Sequence, residues 1–289
     1  MLWFLLSQNV PFDVKPIHLR VLNLTANTYV NDTLLTEVVT FTPDGNIRVI
    51  DTVEIYGMGD TYVPPSVHVL AFNVMYRGEV FPSRVVVVGK DTVMDIFVYD
   101  VTYDSSVIKL TSENIGLLRD RGGYRVVEVF FVFNNSKYAY RGPSVRIKVP
   151  EGATALSMST GDDDVIRKDG WVILNPLILP GEGNFALSYV VVKEDFGVER
   201  SGADNYKLLA DTLVPVRVKY ATYRGTEEFE GEKIRVWEGS GRIAFYVGTP
   251  PVKKELLYYT MGAVFVLVIV GIVFVSYYGI RAFRRGRPS

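Results

Sequence analysis

Apolar and polar residues alternate with a period of two through most of residues 16–250, the pattern of half-buried β-strands. Ile17, Leu19 and Val21 share one face, with His18 and Arg20 on the other. Glu37–Phe41 and Ile47–Ile50 flank Thr42-Pro-Asp-Gly-Asn46, where Asp-Gly tolerates positive φ and predicts a hairpin turn. Val67–Tyr76 reads as a strand that Arg77-Gly78 turns into Glu79–Phe81, and Val85–Val88 and Val93–Asp100 follow. Tyr124–Phe133 predicts a long strand with Val127, Val129, Phe131 and Phe133 on one face. Val145, Ile147 and Val149 alternate with Ser144, Arg146 and Lys148, and Lys168-Asp-Gly170 turns the chain into Trp171–Leu174. Val214, Val216, Val218 and Tyr220 line a further strand; Ile234–Trp237 and Ile243–Val247 are expected to pair across Glu238-Gly-Ser-Gly241. No helical period of useful length interrupts this series. Short strands with turn signals every 8–12 residues or so predict β-sandwiches. The polar stretch Asp100–Ser106 divides them into two domains, 12–105 and 106–250.

The pattern changes at Leu256–Ile280, 25 residues without a charge. A helix of that length, at roughly 1.5 Å per residue, spans a hydrocarbon core roughly 30 Å thick. Tyr258 and Tyr259 stand at one end and Tyr277 and Tyr278 at the other, where amphipathic rings favour headgroups. Lys253 and Lys254 precede the run; Arg281, Arg284, Arg285 and Arg287 follow in the tail, 281–289. That asymmetry predicts a single-pass protein of the cell membrane with its C-terminus in the cytoplasm and its β-domains outside, in contact with lipid through the one helix. The run holds no ionisable group inside the membrane, so a channel or transporter role for the lone chain is rejected.

Composition narrows the classes further. The full chain carries a formal net charge of −1 and the tail +4, which leaves −5 on residues 1–255 and argues against a broad nucleic-acid surface. The absence of cysteine excludes disulfides, thiolate metal sites and cysteine nucleophiles. Tyr 18, Phe 16 and abundant valine suit an exterior domain held by core and sheet alone. The apolar start Met1-Leu-Trp-Phe-Leu-Leu6 ends at Ser7, and residues 1–11 read as the remnant of a signal peptide or a short atypical one.

Candidate chemistry is sparse. His18 and His68 are the only histidines, no His-Glu-x-x-His or Gly-x-Ser-x-Gly motif accompanies them, and no phosphate-binding glycine loop stands between strand and helix. Asp162, Asp163 and Asp164 form the densest acidic cluster, and Asp100 and Asp104 lie near the domain junction. Calcium, a hard cation that takes carboxylate oxygens, is the one cofactor either group would suit. Adjacent aspartates point apart, however, and a solvated turn is the plainer reading of the triplet. Glu128 reads as an exposed or hydrogen-bonded sheet residue before an acid/base group. Asn23-Leu-Thr25, Asn31-Asp-Thr33 and Asn134-Asn-Ser136 fit the N-glycosylation pattern, which makes Asn23, Asn31 and Asn134 acceptor candidates for a domain outside a glycosylating cell.

Tyr76-Arg-Gly78, Phe81-Pro-Ser83, Val98-Tyr-Asp-Val-Thr-Tyr-Asp104, Val127-Glu-Val-Phe130 with Asn134, Val149-Pro-Glu-Gly-Ala153, and Leu179-Pro-Gly181 followed by Tyr189 come in a recognisable order. On these the chain resembles a group of prokaryotic membrane-anchored proteins whose N-terminal part is similar to the carboxypeptidase regulatory-like (transthyretin-like) β-sandwich. The resemblance implies a second β-domain and a C-terminal transmembrane helix, and carries no catalytic residues with it. The expectation is an all-β ectodomain of two β-sandwiches on one transmembrane helix, non-catalytic, acting as an accessory or structural subunit with protein partners at the cell surface. A module binding an extracellular glycan or peptide is the alternative, favoured if Trp171 or Trp237 is exposed beside polar loops. A hydrolase using only carboxylates would need an acidic pair roughly 5–10 Å apart in a cleft.

Overall fold

Period-two alternation makes each segment amphipathic as a strand, and strands bury one face only by pairing and layering. A computed structural model describes residues 16–42, 47–62, 67–120, 122–168, 170–229 and 231–248. Among them the protein is all-β, and no helix is long and apolar enough to cross a membrane. The predicted span 256–280, the tail 281–289 and the N-terminal segment 1–11 lie outside the described residues. The described residues divide into two compact units, the first ending at Val101 and the second beginning at Thr102.

The first unit contains β1 (Pro16–Asn23), β2 (Thr28–Tyr29), β3 (Thr33–Phe41), β4 (Ile47–Tyr56) and β5 (Met58–Tyr62). β6 (Val69–Tyr76), β7 (Glu79–Pro82), β8 (Val86–Val87) and β9 (Val93–Val98) complete it. They join in one nine-stranded sheet of order β2-β1-β5-β4-β3-β6-β7, with β8 on β6 and β9 on β1. The predicted hairpin pairs Phe41 with Ile47, its turn residues 43–46 lying outside the described set, and Tyr76 pairs with Glu79 across Arg77-Gly78. Ile17, Leu19 and Val21 are buried as their shared face predicts. The β1–β9 pairing is parallel, from His18↔Val93 to Asn23↔Val98. Between β4 and β5 the chain bends at Gly57, whose φ is +59°. A Cβ there would lie 1.7 Å from the Val30 carbonyl oxygen, so only glycine fits.

β10 (Val101–Thr102) spans the boundary. The second unit then runs through β11 (Ile108–Asp120), β12 (Gly123–Asn134), β13 (Ala139–Arg141), β14 (Val145–Ile147), β15 (Ala153–Met158) and β16 (Val165–Lys168). It continues with β17 (Trp171–Leu174), β18 (Leu177–Ile178), β19 (Gly181–Val191), β20 (Phe196–Ser201), β21 (Asn205–Asp211), β22 (Val216–Phe229) and β23 (Glu232–Val247). The large sheet has the order β15-β19-β12-β11-β21-β23-β20 with β22 on β23, and β14-β17-β16 form a small one. Phe130, Phe185 and Leu187 of the large sheet share one buried cluster with Ile147, Val172 and Leu174 of the small one.

One expectation is refined and another changes. In β12 the face in the main core carries Tyr124, Val126, Phe130 and Val132, the phase opposite to Val127, Val129, Phe131 and Phe133. Ile234–Trp237 and Ile243–Val247 do not pair with each other; they are two halves of the single strand β23. β21 pairs with the first half, β20 with the second, and β22 runs along both. Gly239 serves packing rather than a turn: a Cβ on it would fall 2.4 Å from the Tyr206 ring opposite it.

Candidate functional site

The core-facing phase of β12 places Glu128 among Val126 and Phe130, and two other strands repeat that placement. Glu113 precedes Ile115 and Leu117 on the core face of β11, and Arg200 follows Phe196 and Val198 on that of β20. The three charges meet. Arg200 Nη1 donates to Glu113 Oε2 at 3.1 Å, and Nη2 donates to both Glu113 and Glu128. The Tyr189 hydroxyl of β19 donates to Glu128 Oε1 at 2.7 Å. Glu113 and Glu128 are 0% and 1% exposed, so neither carboxylate reaches solvent. Arg200 Nε has no partner among the described residues.

Electrostatics follow from two acids sharing one cation in a closed interior. Burial pushes the Glu113 carboxyl up to about 7, against the pull of Arg200, and Glu128 adds to the rise. Burial also lifts Tyr189 far above its usual range, so it stays a donor. On Arg200 burial works against the charge, but Glu128 and Glu113 outweigh it and hold the guanidinium cationic. The arrangement is a sealed ionic brace across β11, β12, β19 and β20. Acid/base chemistry on a substrate needs access, and the pair has none. Glu128 is hydrogen-bonded, one of the two alternatives its sequence position left open. Glu113 and Arg200 escaped sequence reasoning, although each stands in phase with the apolar positions of its strand.

The calcium candidates are placed separately. Asp100 Oδ1 accepts from Arg77 Nη1 at 2.6 Å, Asn23 Nδ2 at 3.0 Å and the Tyr76 hydroxyl at 3.1 Å. Asp104 caps a single 3-10 turn, Ser105–Val107, where the Ser106 amide holds its carboxyl below the ordinary range. Asp162–Asp164 form another such turn. Asp163 is exposed; Asp164 is buried, accepting from Arg141 Nη1 at 2.6 Å and Thr160 Oγ1 at 2.8 Å, so at this position the turn is not solvated. Among the described residues no group of three or more acids and histidines is arranged to hold a metal. His18 pairs with Asp60 at 2.8 Å on the exposed face, and His68 is exposed just before β6.

Two sequons are Asx turns at strand ends. Asn23 Oδ1 accepts from the amides of Thr25 and Ala26, and Asn134 Oδ1 accepts from the amide and hydroxyl of Ser136. Their amide nitrogens are committed inward, Asn23 to Tyr76 and Asp100, Asn134 to the carbonyls of Tyr138 and Ile178. Both side chains are buried, whereas Asn31 is exposed.

Trp171 and Trp237 are both half-buried. Trp237 packs against Tyr223 with ring centroids 5.2 Å apart. The Arg146 guanidinium lies 4.4 Å from the centroid of the Trp171 ring. Trp171 also borders a pocket of about 640 Å³. Val149, Leu156 and Val172 supply apolar lining; Lys148, Arg167 and Lys168 supply cations, and Glu151 one acid. Glu151 is taken up by Lys193 at 2.9 Å, while Lys148, Arg167 and Lys168 make no ion pair with a described residue.

No family model matches the chain, and no curated protein does. Among solved structures, an M1 zinc metallopeptidase from Deinococcus radiodurans aligns with a TM-score of 0.31 and 10% identity, over 49% of this chain and 42% of that one. Legionella pneumophila aminopeptidase A in complex with aspartic acid aligns with a TM-score of 0.33 and 7% identity, over 54% and 23%. The chain thus spans less than half the length of these structures, and a likeness this slight carries no argument about activity.

Proposed function

We propose that this is a non-catalytic, single-pass membrane protein whose two β-sandwich domains, the first transthyretin-like, stand outside the cell as an accessory or structural subunit of a surface complex. The observation that carries the reading is the uncharged run Leu256–Ile280 closed by four arginines and preceded by an all-β chain. The sealed brace supports the non-catalytic part, because the acids that converge on Arg200, Glu113 and Glu128, are closed to any substrate. Partners engage through sheet edges and loops. The chain has no role on nucleic acid, and calcium is not required for its fold.

Two measurements test this. The full chain should stay with membranes through alkaline carbonate extraction, and a chain ending at Gly248 should be released; release of both refutes the anchor. Gentle detergent extraction should recover co-purifying chains, and a lone monomer refutes the subunit role. A second reading, a module for an extracellular ligand, is favoured by the cationic pocket beside Trp171.

A further inference from the structure

The cationic pocket sits at a particular end of the second unit, and strand register shows which. Val191 of β19 pairs with Ala153 at the start of β15 and with Tyr124 near the start of β12. The Tyr124 hydroxyl donates to the carbonyl of Gly248 at 2.9 Å, and Phe196 at the start of β20 pairs with Val247. The loop 148–152 leads from Ile147 into Ala153, and Lys168 pairs with Trp171 beside it. The pocket therefore lies at the end of the unit that holds Gly248, the last described residue. Eight residue steps separate Gly248 from Leu256, which bridge at most about 30 Å even when fully extended.

We propose that this pocket takes the headgroup of an anionic phospholipid from the bilayer into which residues 256–280 insert. The inference rests on the anchor reading above. Lys148, Arg167 and Lys168 supply positive charge and make no ion pair with a described residue, and charge of this kind beside a membrane selects anionic lipid. Val149, Leu156 and Val172 give the glycerol and first acyl carbons an apolar wall, which a soluble anion would not use. Exposed Val192, next to Lys193, adds an apolar side chain at the same end.

The test uses the full chain in lipid nanodiscs, one set of phosphatidylcholine alone and one with phosphatidylglycerol added. Amide hydrogen exchange is followed over 145–156 and 165–174. Exchange there should slow by about fivefold or more in the anionic discs, the scale set by one basic residue near a charged surface. The variant Lys148→Ala/Arg167→Ala/Lys168→Ala should lose the slowing, and Lys148→Arg/Arg167→Lys/Lys168→Arg should keep it; circular dichroism checks that both are folded. Equal exchange in the two discs, or slowing that survives the alanine variant, overturns the pocket assignment and leaves the anchor standing. Equal slowing by free glycerol phosphate in neutral discs overturns the bilayer as the source. Failure to enter discs of either composition refutes the anchor, and the assignment with it.

Discussion

Removing Arg200 leaves Glu113 and Glu128 close together with no cation, in a region closed to water. Arg200→Met is therefore expected to destabilise the protein by about 3–5 kcal/mol. Replacing the three charges and their hydroxyl donor together, by Glu113→Leu, Glu128→Leu, Arg200→Met and Tyr189→Phe, should instead be neutral or stabilising by about 1–4 kcal/mol, because three ions no longer need desolvation and no buried donor is left unpaired. Urea midpoints of the full chain in detergent check both. Proton linkage gives a second expectation. The Glu113 carboxyl rises from 4.5 to about 7 on folding, so between those values the folded chain binds the extra proton. Stability from this group is full below about pH 4.5 and falls as pH rises through about 7, by at most about 3 kcal/mol. A Glu113→Gln variant should flatten that decline in a series of melting temperatures from pH 5 to 8. Glycan placement is decided on the same scale. In a glycosylating host, peptide mass spectrometry of the folded fraction should find sugar at Asn31 and none at Asn23 or Asn134, whose amides face inward. The sequence displayed Glu128 within an apolar strand but not its partners. Arg200 lies 87 positions from Glu113, and only the pairing order of the sheet brings them together.

Elements were more legible where a turn residue had one use. Asp44-Gly45 and Arg77-Gly78 pointed to hairpins, and those hairpins form. Glu238-Gly-Ser-Gly241 had two uses. Glycines between apolar runs can turn a chain or admit a neighbour, and here Gly239 admits the Tyr206 ring while β23 continues. The core face of β12 was not legible for a similar reason: both phases are apolar, and the one with the charged residue is the one that meets the small sheet. Gly57 offers the sharpest test of an element boundary. Gly57→Ala forces a left-handed φ on alanine and drives its Cβ into the Val30 carbonyl, so it should cost about 2 kcal/mol or more. Thermal unfolding of the variant measures this, and an unchanged midpoint would contradict the bend as described.

For the whole molecule, the all-β class was readable because period two persists almost without interruption, and the described residues contain no α-helix. Sheet order was not readable, since pairing between distant strands leaves no local mark. That applies most to β1 and β9, the first and last strands of the nine-stranded sheet, which run side by side in the same direction over six residue pairs. Tension applied between the two ends of that unit would slide one strand along the other and load all six pairs at once, instead of peeling them apart singly. A pull passing through that unit from Pro16 to Val98 would thus be resisted by a clamp of backbone hydrogen bonds, set where the load enters and leaves the sheet.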